Sequence, residues 1–128
     1  DAEALVSFDD DNLILLSKNW VDGETLAYLI PKTQGNYALT PLPTSLSSAG
    51  LITGGTYNPI TEKLFLIGYS EFLIPFVWVS ENFSGSDIFS GNNNQTSLEA
   101  AFKYQQIFYH FRIVFIIYDF RLRQTHRL

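Results

Sequence analysis

The chain has 128 residues, enough for one domain with a core of its own. Hydrophobic residues make up 46% and charged residues 16%, a balance that excludes a disordered chain. The formal net charge is −5, with three lysines against eleven acids in residues 1–98 and five basic residues against two acids in residues 99–128; so acidic a body argues against nucleic acid as the main partner.

The absence of cysteine excludes disulfides, a cysteine nucleophile and Cys-based metal sites. Without methionine the chain is expected to be a mature form, an excised piece or a fragment. Nothing at its start reads as a signal peptide. The apolar run Ile113–Tyr118, flanked by Arg112 and Asp119, is far too short for a membrane span. Aromatic residues at 16%, with Val, Ile and Thr, tilt the chain toward β structure.

In chain order, Glu3–Phe8 reads as a strand, Asp9-Asp10-Asp11-Asn12 as a polar turn and Leu13–Lys18 as a second strand. Asp22-Gly23 signals a tight turn into a third strand, Thr25–Ile30, stopped by Pro31. Tyr37–Leu42 is expected as a fourth, outer strand, since Pro41 and Pro43 suit an edge. After the small-residue loop Thr44–Gly50, the plan repeats. Leu51–Tyr57 ends at Asn58-Pro59; Lys63–Tyr69 is apolar on both alternating faces; Pro75–Ser80 is rich in aromatic and β-branched residues. Asp87–Ser90 is expected as the remnant of the outer strand. Glu99–Tyr104 echoes Glu3–Phe8 as a third start, and residues 105–128 alternate without turn residues, as a long strand or two.

The strand LILLSKNW aligns with LFLIGYSE, Leu13 and Leu64 being 51 apart, and TLAYLIPK aligns with PFVWVSEN. Four-stranded units at such a period are the signature of propeller blades. The fold expected is therefore all-β, with antiparallel four-stranded meanders forming a partial β-propeller. A β-sandwich or barrel is the alternative. Residues 3–46 and 50–91 make two blade-like repeats and residues 97–128 an atypical partial third, within a single domain or fragment spanning 1–128. An open stack of that kind exposes apolar faces and is expected to self-associate.

Glu3-Ala4-Leu5, Leu15–Trp20, Ile30–Thr33, Gly50–Gly54 and Ile67-Gly68-Tyr69 resemble a run in uncharacterised secreted β-propeller proteins of Bacteroidota-type bacteria, where SKNW, PKT, GLITG and GY recur in this order. The resemblance covers roughly residues 3–104 and rests on structural tetrapeptides. It implies a propeller, an extracytoplasmic location (secreted or cell surface) and no known catalytic residues. Beyond Tyr104 the chain departs from that pattern.

No motif carries catalysis. Asp9–Asn12 lacks the Gly and Glu of an EF-hand loop, Ile14 and Trp20 standing at those positions, and reads as a solvated turn. Gly54-Gly55-Thr56 has no following Lys and reads as close backbone approach rather than a phosphate loop. His110 and His126 are the only histidines and no GxSxG elbow occurs. Glu71 and Glu81 are the one carboxylate pair to weigh for glycoside hydrolysis. Asn82 and Asn94 open glycosylation sequons, and Arg121, Arg123 and Arg127 make a basic end. Among the aromatics Trp20, Tyr57, Tyr69, Phe76 and Trp78, the candidates for ligand stacking are Trp20, Trp78 and Tyr69, weighed against ordinary core packing. The sequence thus predicts a non-enzymatic binding or scaffold module for a protein or glycan, without cofactor or metal. The alternative is part of a propeller-based hydrolase or lyase whose catalytic residues lie mostly outside this chain.

Overall fold

A computed structural model describes residues 2–17 and 21–97. Among these the chain is all-β, without a helix. Nine strands are present: β1 (Ala2–Ser7), β2 (Asn12–Ser17), β3 (Glu24–Thr25), β4 (Ala27–Pro31), β5 (Leu46–Ser47), β6 (Leu51–Asn58), β7 (Lys63–Tyr69), β8 (Pro75–Glu81) and β9 (Asn92–Ser97). They form three antiparallel sheets, ordered β1-β2-β4, β3-β5 and β6-β7-β8-β9, and no sheet closes into a barrel. The third start at Glu99 and the alternating run that follows lie outside the described residues.

Burial follows the period-2 geometry of strands. In the first sheet Ala4, Val6, Ile14, Leu16 and Ala27 are buried on one face, with Leu29 packed alongside. Leu64, Leu66, Ile52 and Phe76 of the four-stranded sheet meet them, and Ile88 and Phe89 close the rim. β7 is apolar on both faces for a reason: Phe65 and Ile67, which alternate with Leu64 and Leu66, are no more than 3% exposed. β1 lies against β6. Gly55 permits that approach, because a Cβ there would sit 3.0 Å from Val6 Cγ2 and 2.6 Å from Leu66 Cδ2.

Both first strands carry a bulge near their start, between Ala2 and Ala4 in β1 and between Ile52 and Gly54 in β6. The ladders then run in step. Leu15 stands between Leu5 and Tyr28, while Leu66, 51 positions on, stands between Gly55 and Trp78, each 50 on from its counterpart.

Two expected outer strands are not where the sequence put them. Residues 35–45 are irregular: Pro41 and Pro43 bring no N–H to a ladder, and only the Leu42 N–H reaches Ala27 C=O, at 2.8 Å. The expected strand Thr25–Ile30 divides at Leu26, whose C=O and N–H both turn to Ser17, freeing Glu24–Thr25 to pair with Leu46–Ser47. In the second unit, Asp87–Ser90 belongs to a compact turn bridged from Ser84 to Asp87. The outer strand is the polar run Asn92–Ser97, paired with β8 from Phe76 to Glu81. Ser80 Oγ donates to Asn93 Oδ1 at 2.6 Å, and the Asn93 amide donates to Phe89 C=O at 2.9 Å, so side chains hold a strand that lacks apolar residues.

Candidate functional site

Of the three residues named for ligand stacking, Trp20 lies outside the described residues. The other two are on one sheet but not on one face. Trp78 pairs with Leu66, and both side chains point toward the first sheet. Tyr69, half-buried opposite Pro75, shares the other face with Phe65 and Ile67. The fold therefore does not join them into a platform. Trp78 is half-buried against the core, and its indole N–H donates to Ser48 C=O at 3.0 Å. Ser48 is itself fully buried, its hydroxyl 2.9 Å from that of Thr25 and donating to Gly50 C=O at 2.7 Å. These bonds tie the connection that leads into β6 to β3 on one side and to β8 on the other.

Phe76 is core. Tyr57 instead joins Phe8 and Phe83 in an aromatic trio, with ring centroids 4.8 Å from Phe8 to Tyr57, 6.1 Å from Tyr57 to Phe83 and 6.4 Å from Phe8 to Phe83. The rings are tilted, as mutually packed aromatics prefer. They gather at the ends of β1, β6 and β8, half-buried over the junction of the two sheets. Burial raises the Tyr57 phenol above its ordinary pKa, and the charge of Glu62 adds to this.

The acids are engaged in turns. Asp9 accepts from the Asp11 N–H at 2.9 Å and from the Asn12 amide at 3.0 Å; the Asn12 bond is foremost in holding its carboxyl below the usual range. Glu24 is lowered by the hydroxyls of Ser45, at 2.6 Å, and Ser47. Glu81 is the last residue of β8 and Glu71 lies before its first, so about 20 Å of strand separates them, too far for a paired-carboxylate mechanism. Glu81 is paired with Lys63 at 3.4 Å. Among the described residues no group of three or more His, Asp or Glu side chains is placed to hold a metal. His110, His126, Arg121, Arg123 and Arg127 lie outside those residues.

The feature that sequence reasoning passed over is the β7–β8 connection. Phe72, Leu73 and Ile74 are 78%, 37% and 62% exposed, three consecutive apolar residues facing solvent. A signal was present, since the run lies between the turn former Ser70 and Pro75 and is too short to be a strand. At the same end, Val21 is 95% exposed in the connection from β2 to β3. What these arrangements can do is make contact: aromatic packing at one end, apolar tips at the other. No protein-family model, curated protein or solved structure matches this chain.

Proposed function

We propose that the chain is a β-propeller-type binding or scaffold module, working outside the cytoplasm and presenting its loops to a protein or glycan. The observation that supports this most is how the faces are used. The second sheet turns Leu64, Leu66 and Trp78 toward the first. The positions in step with these in the first sheet are Leu13, Leu15 and Tyr28, and they lie on the face turned away from the core, beside Leu5, which is 55% exposed. Sheets that pack head to tail in this manner generate a ring, each offering the next the face its neighbour has just used. A self-contained sandwich packs two inner faces together and leaves polar residues outside. The outer face here is a row of Leu5, Leu15 and Tyr28 with Leu13 and Ile30 beside it. The location rests on the family resemblance, and no helix among the described residues is long and apolar enough to cross a membrane.

Light scattering on the purified chain tests the reading. An open face of this kind calls for a further sheet, and in isolated chains that sheet comes from a second copy. The expected result is a mass above that of one chain, returned to one chain by Leu15→Glu with an unchanged far-UV spectrum. A folded monomer regardless of the residue at position 15 would sink the reading in favour of a self-contained fold.

A further inference from the structure

We propose that residues 98–128 cover the far face of the four-stranded sheet, docking Phe111, Ile113, Phe115 and Ile117 on Phe65, Ile67 and Val77 of the same chain. This goes beyond the binding module described above and does not rest on it. Phe65, Ile67 and Val77 are 3%, 0% and 1% exposed. They alternate with Leu64, Leu66 and Phe76, which meet the first sheet, so they face away from it. None of the three belongs to the core between the sheets. Nor can they hide one another: Ile67 stands opposite Gly54, which has no side chain, and one layer of side chains on a pleated face is open from above. Such a face is buried only beneath a second layer. Among the other described strands, β1 is the one whose contact with this sheet is extensive, and it lies on the core side, where Val6 approaches Gly55. The sheet's own connections go elsewhere, Phe72, Leu73 and Ile74 to solvent and Ile88 and Phe89 to the core.

The cover therefore comes from the rest of the chain. Asp1 and residues 18–20 adjoin β1 and β2 of the first sheet, which leaves residues 98–128. Residue 98 follows β9, whose last residue, Ser97, pairs with Phe76, so the segment starts at the outer edge of this same sheet. A pass of ~20 Å across the face takes about six extended residues, and the segment is long enough for more than one. Phe111, Ile113, Phe115 and Ile117 recur at every second position, the period that sets side chains on one face of a strand. Charge agrees as well, since five basic residues in 99–128 meet a body with eleven acids and three lysines. The first sheet's outward face is apolar too, but Leu5 there is 55% exposed, so the segment is not spent on it.

Photo-cross-linking of the full chain with p-benzoylphenylalanine in place of Phe65, irradiated as an equal mixture of isotopically light and heavy molecules, tests the proposal. The expected cross-links join position 65 to residues 98–128 within one molecule, light to light and heavy to heavy. Adding Leu15→Glu should leave them unchanged, which separates this test from that of the ring. In the second measurement, Ile113→Asp and Phe115→Asp should each raise the fluorescence of an added naphthalenesulfonate dye several-fold, as the apolar face opens, while Arg123→Asp does not. A far-UV spectrum checks that each sample keeps its strands. Cross-links confined to residues before 98, cross-links that join light to heavy, or none from a folded sample would overturn the proposal. So would a dye signal that neither Asp variant moves.

Discussion

Trp78 is the residue at which binding and architecture are most easily confused. Its indole N–H is spent on Ser48 C=O and its ring packs on the core, so its replacement acts first on stability. Trp78→Phe should cost about 1 kcal/mol, the net worth of one hydrogen bond, and Trp78→Ala about 3 kcal/mol, as measured by urea unfolding. Backbone conformation sets a second expectation. Glu62 is exposed and sits at φ 54°, which glycine adopts freely. Glu62→Gly should stabilise the fold by about 1 kcal/mol in the same assay. It also removes a charge near Tyr57, so an ultraviolet titration should find the phenol lower than in the wild type, with the effect of burial remaining.

Connections, as well as the strands that share the core, hold the two sheets in place. Asp87, in the turn before β9, accepts from the Thr44 N–H at 3.1 Å and the Thr44 hydroxyl at 2.9 Å, across 43 residues of chain. Asp87→Ala should cost about 1.5 kcal/mol, because both Thr44 donors lose a charged partner in a half-buried place. Asp9 and Glu24 give the turns a pH dependence. Folding lowers both carboxyls, so near pH 4 the unfolded chain binds more protons than the folded one. Their contribution is complete above the ordinary carboxylate range and is lost as the pH falls through the lowered folded values. Chemical denaturation across this range should show stability falling on acidification, and Glu24→Gln should flatten the fall. The elements themselves differ in how far they were legible. β7 was plain from its unbroken apolar alternation, whereas β9 is Asn, Gln, Thr and Ser, residues that carry no hydrophobic period and become a strand only because β8 offers an open edge.

At the scale of the whole molecule, one sheet buries both faces and the other only one. The second sheet has Leu64 and Leu66 on one side and Phe65, Ile67 and Val77 on the other, all nearly inaccessible. The first keeps Leu5, Leu13, Leu15, Tyr28 and Ile30 on an outward face. That asymmetry is what the proposed head-to-tail packing explains. It also sets the scale of the expected association: a three-stranded face is small against the ~1,200 Å² of a stable interface, so the mass should depend on concentration. Dilution of the wild type should shift it toward one chain, with Leu15→Glu at that limit throughout.

The sequence by itself determined the all-β class, the antiparallel meander from Leu51 to Ser80 and the alignment of Leu13 with Leu64. Strand periodicity and turn chemistry are local, and they read directly from neighbouring residues. Only the tertiary structure decided which strand stands outermost, because edge pairing depends on a partner already in place rather than on the strand's own residues. The same holds for the candidate site. That Trp78 and Tyr69 are aromatic is visible in the chain, but their lying on opposite faces follows from a register counted through β7 and β8. Phe72 and Ile74 look like any apolar pair in the sequence. Their exposure arises because the Ser70 turn lifts them clear of both faces of the sheet.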